Sequence, residues 1–112
     1  MIILRCRDPE GRSLVLHDAQ WIHHILNEHP ELAGQLPAIE ATIRAPDIVC
    51  RDAMRTDRIL YYRLGTITRY SRFHLKVCAH VFPPDALGVT TGEVVSAYLV
   101  SKPKRGEVQL WP

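Results

Sequence analysis

The strongest constraint on the fold is a strict alternation of apolar and polar side chains in the C-terminal half of the chain. Over residues 73–82 one parity is wholly apolar, while the other parity carries His74, Lys76, Cys78 and His80. Successive side chains of a strand point to opposite faces of its sheet, so this segment predicts a strand with one buried and one exposed face. The same period predicts strands over residues 47–51, 59–64 and 93–100, and a short one over 107–111.

The N-terminal half predicts a helix between Trp21 and Leu32. At 100° per residue one stripe of this segment is apolar, and it consists of Trp21, Ile22, Ile25 and Leu26. His24 lies at the edge of the stripe beside Glu28. Asp18 can accept an unpaired N–H of the first turn, and Pro30 predicts that the helix ends near Asn27 or Glu28.

A second, shorter helix is predicted over residues 37–44. It begins with a proline, which suits a first helical turn, and Ile39 and Ile43 give it an apolar face. Ahead of both helices, segments 2–7 and 13–16 flank Asp8-Pro9-Glu10-Gly11. Proline followed by glycine is typical of a type I turn, so an N-terminal β-hairpin is expected.

Helices followed by a run of neighbouring strands predict an α+β fold. We expect an N-terminal β-hairpin and two helices packed on one face of a four- to five-stranded antiparallel sheet, with the other face open. The chain has 112 residues, which is the usual size of one domain. Residues 1–112 are therefore expected to form a single domain, with 1–17 as a hairpin extension and 18–112 as its core.

Composition indicates an ordinary soluble domain and only a weak charge bias. The hydrophobic fraction is 46%, and the formal net charge is +2, with a pI near 8.6. Such a charge permits a nucleic-acid partner without requiring one. No apolar run is long enough for a membrane span, and the first residues are too short for a signal peptide. Three scattered cysteines favour free thiols in a reducing compartment, so a cytoplasmic location and no membrane partner are expected.

If every apolar parity packs against the helices, the polar parities share one open surface. That surface would hold two histidines together with Arg51, Arg63, Lys76, Ser96 and Tyr98. Half-solvated antiparallel strands without any active site often look similar. This set, however, offers cations, imidazoles and hydroxyls with almost no carboxylate, which suits a phosphodiester ligand.

Several segments, in order along the chain, resemble the phage and mobile-element branch of the barnase/EndoU/colicin/RelE-like (BECR-fold) nucleases. They are Trp21-x-x-His24-Ile25-Leu26-x-x-His29-Pro30-Glu31, Thr42-Ile43-x-x-Pro46-Asp47-x-Val49, Tyr61-Tyr62-Arg63, Leu75-Lys76-Val77, Val95-Ser96-Ala97-Tyr98 and Gly106-Glu107-x-x-x-Trp111. The resemblance implies helices on one side of a four-stranded antiparallel sheet. It further implies a metal-independent, toxin-like endoribonuclease without a cofactor, whose site lies on the open face. Ser96 and Val100 depart from the hydroxyl pattern of that branch.

Metal-free RNA cleavage requires a general base, a general acid and cations for the phosphorane. Histidine suits the first two roles at neutral pH, and arginine suits the third. We expect His24 as base or acid, with His29 as a second candidate, and Lys76 and Arg63 on the phosphate. The expected orienting and substrate-binding residues are Ser96, Tyr98, Tyr61, Arg44 and Arg51. Each tyrosine also fits simple packing at the rim of the site.

Three other interpretations stay open. Cys78 and His80 share a strand face and could form half of a zinc site, although no second pair of ligands is visible. The chain could instead be an inactive nuclease-like fold that binds RNA or a protein. It could also be a toxin acting on tRNA or mRNA, whose basic face is blocked by an acidic immunity or antitoxin protein.

Overall fold

The computed structural model describes the whole chain, Met1–Pro112, and its seven strands form one mixed sheet. The strands are β1 (Ile2–Arg7), β2 (Ser13–His17), β3 (Ile48–Arg51), β4 (Arg58–Leu64), β5 (His74–Val81), β6 (Thr91–Val100) and β7 (Val108–Trp111). Their order across the sheet is β1-β2-β6-β5-β4-β3-β7. Neighbours are antiparallel except β2 and β6, which are parallel. The protein is α+β, but the expected antiparallel sheet of four or five strands is wrong.

The N-terminal hairpin accounts for most of this difference. It forms as predicted, and the N–H of Gly11 donates to the carbonyl of Asp8 at 3.1 Å to close the turn. The hairpin then joins the sheet, because residues 13–15 of β2 pair in parallel with residues 91–93 of β6. Both strands of the hairpin therefore belong to the sheet.

The first helix runs without a break from Asp18 to Glu28, through Asp18–Gln20, a π-helical segment Trp21–Ile25, and Leu26–Glu28. Trp21 and Ile25 are buried as predicted, but Ile22 is 53% exposed. A π-helical turn is wider than an α-helical one, so a stripe drawn at 100° per residue does not hold across it. The Asp18 carboxylate accepts the N–H of Ala19 at 2.8 Å.

The second helix, Leu36–Arg44, packs on the same side of the sheet as the first. Ile39 and Ile43 are fully buried, which confirms the predicted apolar face. We call this side of the sheet the helix face and the opposite side the open face. Neither helix is long and apolar enough to cross a membrane.

The two faces are assigned correctly for β5 and wrongly for β4. Leu75 and Val77 lie in the main core on the helix face, as predicted. In β4, however, Tyr61 pairs with Val77 and belongs to that core, while Tyr62 pairs with Lys76 on the open face. Residues directly opposite each other on neighbouring strands share a face, so the expected parity of β4 is reversed. Leu60, Tyr62, Cys50 and Cys78 form a second, smaller apolar cluster on the open face.

A bulge in β6 changes the face of one further residue. The register between β5 and β6 shifts at Cys78 and Ala79, so that Val94 takes the core position. Val95, which the alternation places in the core, packs against the open-face cluster. Beyond the bulge the predicted parity holds, and Ser96 and Tyr98 pair with Cys78 and Lys76 on the open face.

Gly92 lies in β6 at a point where β2 and β5 both approach it closely. A Cβ atom there would lie 2.6 Å from the carbonyl oxygen of His80 and 2.9 Å from Cδ2 of Leu14. We expect Gly92→Ala to lower the free energy of unfolding by about 1–3 kcal/mol, because the strands must move apart. Urea titration measures the change. The neighbouring Thr91 is exposed, so Thr91→Ala should change little, and equal losses in both variants would contradict the close approach.

Candidate functional site

The centre of the open face is Lys76, in the middle of β5, which is only 6% exposed. Its ammonium donates to Oε2 of Glu107 at 3.1 Å, and the side chain of Glu107 is 3% exposed. The hydroxyl of Tyr62 donates to the other oxygen of the same carboxylate. The lysine Nζ also lies 5.3 Å from the centre of the Tyr62 ring and 5.5 Å from that of Tyr98. A buried ammonium is thus held by one carboxylate and two aromatic rings.

This environment keeps Lys76 charged and Tyr62 neutral. Burial alone would lower the pKa of Lys76, but hydrogen bonding with Tyr62 and Glu107 outweighs it, and the pKa is raised. Burial, and then the hydrogen bond to Glu107, raises the pKa of Tyr62. At neutral pH Lys76 is therefore an ammonium and Tyr62 a phenol.

Two imidazoles border this cluster, one against Tyr98 and one against Tyr62. The ring of His29 stacks on Tyr98 with centroids 5.3 Å apart and planes at 25°. The ring of His74 meets Tyr62 edge-on at 6.4 Å, and its Nδ1 lies 3.2 Å from the carbonyl oxygen of Ser101. We call these five residues the histidine–tyrosine–lysine row, which runs in the order His29, Tyr98, Lys76, Tyr62 and His74.

The first helix brings His29 to the row. Gln20 donates its side-chain amide to the carbonyl of Val95 on β6, so the helix lies against that strand. The helix ends at Glu28, and Pro30–Leu32 forms a 3₁₀ turn that starts after His29. Proline disfavours helical geometry in the residue before it, and His29 accordingly leaves the helix with φ −134° and ψ 70°.

Beside the row, the open face holds a cavity of about 190 Å³. Its lining includes Lys76, Ser96 and Tyr98, which the sequence predicts to lie together, and also Asp52, Arg55, Arg58, Leu60, Cys78 and Lys104. Burial raises the pKa of Cys78, even though Ser96 and Lys76 act in the opposite direction. Cys78 is therefore not an activated thiolate, and no three His, Cys, Asp or Glu side chains converge as metal ligands.

Three predicted site residues lie on the helix face. Arg63 is the largest correction, because its guanidinium donates to the carbonyl of Ala41 on the second helix at 3.2 Å. Tyr61 is fully buried and donates to Oδ2 of Asp8 at 2.6 Å, so it cannot stack on a substrate. Arg51 pairs with Ile59, which faces the core. The expectation that these three share a face with Lys76 is wrong, because the parities of β3 and β4 are reversed.

Two more predicted residues lie on helices and do not line the cavity. His24 has its Nδ1 3.6 Å from Oε1 of Glu28, one turn along the first helix. Arg44 has its Nε 3.5 Å from Oε2 of Glu40 on the second helix. Of the two predicted acid–base histidines, His29 is therefore the one that contacts a residue of the open face.

No sequence pattern gives a role to Glu107, Tyr62, Arg55 or Arg58, and His74 is predicted on the polar parity of β5 without a role. Glu107 occurs in one of the resembling segments, but no pattern pairs it with Lys76, thirty-one residues away. Tyr62 neighbours Arg63 in the strand, so the prediction that Arg63 lies on the open face places Tyr62 on the other one; the observed parity of β4 puts both Tyr62 and Arg58 on the open face. Arg55 lies in the loop before β4, where alternation carries no information.

Comparison of the chain with protein-family models, curated proteins and solved structures gives no significant match. The resemblance to the BECR-fold nucleases therefore remains an expectation from short segments.

Proposed function

We propose that the protein is a metal-independent endoribonuclease whose active site is the histidine–tyrosine–lysine row. The observation that supports this most is the pair of imidazoles, His29 and His74, that contact the two tyrosines around a buried ammonium. Histidine is present in both protonation states near neutral pH, which is what an acid–base pair requires.

The free, unbonded state of all three cysteines fits a reducing, cytoplasmic location.

In this mechanism one imidazole accepts the proton of a ribose 2′-hydroxyl, and the oxygen attacks the adjacent phosphorus. The bond from phosphorus to the 5′-oxygen then breaks, and the other imidazole gives its proton to that leaving oxygen. The products are a 2′,3′-cyclic phosphate and a 5′-hydroxyl. Lys76 would stabilise the additional negative charge of the phosphorane, and Ser96 and Tyr98 would orient the phosphate and the ribose. Glu107 is a positioning residue, because it fixes Lys76 without facing solvent.

A second function is favoured by the closed ion pair. Glu107 already neutralises Lys76, and neither side chain is more than 7% exposed. A cation in this state attracts a phosphate less strongly than a free one. The same face would then bind RNA without cleaving it, through the other cations of the cavity. Such binding weakens steeply with salt, because each phosphate contact releases counterions.

The proposal predicts that purified protein cleaves RNA in the presence of EDTA. A fluorophore–quencher RNA should be cut, and a copy with 2′-deoxyribose throughout should stay intact. His29→Ala and His74→Ala should each lower kcat/KM by about 10²–10⁴, the usual contribution of a general acid or base. His23 is exposed and lies outside the row, so His23→Ala is the matched control and should retain full activity.

Two results would reject this assignment. If the protein binds RNA with salt-dependent affinity but releases no product, the binding function replaces the catalytic one. If His24→Ala loses activity while His29→Ala keeps it, the row is not the catalytic centre.

A further inference from the structure

The cavity beside the row is lined by three cationic side chains that form no ion pair within the protein. Of its four cations, Lys76 is paired with Glu107, but Arg55, Arg58 and Lys104 form no ion pair with any carboxylate of the chain. The one carboxylate in the lining is Asp52. The four cationic side chains outnumber the two carboxylates that balance them, Asp52 in the lining and Glu107 on Lys76. The cavity of about 190 Å³ therefore has an excess of two positive charges.

Asp52 is occupied in holding its own loop. Its Oδ1 accepts the N–H of Met54 at 2.8 Å and the N–H of Arg55 at 2.9 Å. The N–H of Arg58 donates to the carbonyl of Arg55 at 2.9 Å, and the N–H of Asp52 donates to the carbonyl of Arg58 at 3.1 Å. The loop that carries Arg55 and leads to Arg58 is therefore closed by its own hydrogen bonds, and the guanidinium groups of both arginines line the cavity.

One hydrogen-bond donor of Arg58 has no acceptor within the protein. Its Nε–H is buried and has no hydrogen-bond partner, the one buried side-chain nitrogen or oxygen of the protein in that state. Buried donors are almost always paired, because an unpaired donor costs free energy. A ligand with several acceptor oxygens, bound to the planar fork of Arg58, would supply the missing partner. Phosphate fits this requirement better than any neutral ligand, since arginine binds it through two parallel hydrogen bonds.

We infer that the cavity is a subsite for a second phosphate, adjacent to the one cleaved at Lys76, so that the substrate is an RNA strand with at least two consecutive phosphodiesters. This inference rests on the proposed function. Lys76 and Cys78 are two residues apart on β5, or about 6.6 Å, a distance that one nucleotide of an extended RNA backbone spans. A phosphate over Cys78 and Ser96 lies within the cavity, between Lys76 and Arg58.

The first test observes Arg58 directly and does not depend on cleavage. Inorganic phosphate is titrated into the full chain while the Nε–Hε resonances of the arginines are followed by NMR. The Arg58 signal should shift with saturation, and the Arg63 signal, from the helix face, should stay in place. Movement of all arginine signals together, or none at all, would overturn the subsite.

The second test compares substrates. Wild type should cleave a trinucleotide with two phosphodiesters at least about tenfold more efficiently than a dinucleoside monophosphate, as kcat/KM. Arg58→Gln and Arg55→Gln should reduce this preference to less than about threefold. Lys102 is exposed and outside the cavity, so Lys102→Gln removes the same charge nearby and should keep the preference. The thermal unfolding midpoint of each variant checks that it is folded.

The outcomes separate this inference from the proposed function. Equal cleavage of both substrates, or equal losses in Arg58→Gln and Lys102→Gln, would overturn the subsite while leaving the nuclease intact. Absence of cleavage, together with RNA binding that Arg58→Gln weakens more than Lys102→Gln does, would support the phosphate subsite and reject the catalytic proposal.

Discussion

We expect Glu107→Ala to lower the free energy of unfolding by about 3–5 kcal/mol. This is one of the two largest effects expected of any single substitution in the protein. The variant leaves the ammonium of Lys76 buried and without its counter-charge, since that side chain is only 7% exposed. Breaking a buried ion pair by removing one partner costs about this much. The hydroxyl of Tyr62 also loses its acceptor. Equilibrium urea unfolding, followed by tryptophan fluorescence, measures the loss.

A double variant provides the control for the charge. Lys76→Met with E107Q removes both charges, and the introduced amide oxygen still accepts the hydroxyl of Tyr62. Most of the lost stability should return, because replacing both members of a buried pair is often nearly neutral. If the double variant is as unstable as Glu107→Ala, the loss comes from packing and not from an uncompensated ammonium.

The pH dependence of the same cluster follows from the direction of its pKa shift. The pKa of Lys76 is raised above its usual value of 10.5. A raised pKa means that the folded chain binds the proton more tightly than the unfolded chain, so the contribution is fully present below pH 10.5. It is lost as the pH rises through the folded value. The stability difference between wild type and the double variant, Lys76→Met with E107Q, should therefore be constant around neutral pH and shrink only in strong alkali.

The sequence predicted the side-chain directions of β5 but not those of β4, and the reason lies in their composition. In β5 only one parity is apolar, so the core side is unambiguous. In β4 both parities carry large side chains, with Ile59 and Tyr61 on one and Leu60 and Tyr62 on the other. Alternation cannot choose between them, and the open face is itself partly apolar. The wrong choice moved Arg63 into the predicted site and removed Tyr62 from it.

Contacts between distant segments account for the remaining differences. The parallel pairing of β2 with β6 and the ion pair of Lys76 with Glu107 each join parts of the chain that no local pattern connects. The choice between His24 and His29 depended on where the first helix lies along β6. A hydrogen bond from Gln20 to Val95 joins the helix to that strand, and no periodicity reveals it. Local patterns predict which segments are helices and strands. The site depends on which strand faces point to the same side of the sheet and on which strand the end of the first helix contacts.

The buried carboxylate of Asp8 gives the second large expected effect. Its side chain is fully buried on the helix face, where it joins the N-terminal hairpin to β4. It accepts four hydrogen bonds, from the N–H groups of Glu10 and Arg12 at 2.9 Å each, from Nη1 of Arg12 at 2.9 Å, and from the hydroxyl of Tyr61 at 2.6 Å. Burial and the bond to Asp8 raise the pKa of Tyr61, which keeps this phenol a donor.

Asp8→Ala should therefore lower the free energy of unfolding by about 3 kcal/mol or more, because it leaves the buried hydroxyl of Tyr61 without an acceptor and the guanidinium of Arg12 with Glu10 as its remaining partner. Tyr61→Phe removes only one of the four bonds and should cost about 1 kcal/mol. Glu10→Ala is the matched control, since Glu10 pairs with the same arginine at 3.2 Å but is partly exposed. That variant should lose at most about 0.5 kcal/mol. Equal losses in Asp8→Ala and Glu10→Ala, measured by urea unfolding, would mean that the ion pairs of Arg12 set the stability, and that the bond from Tyr61 to Asp8 adds nothing to it.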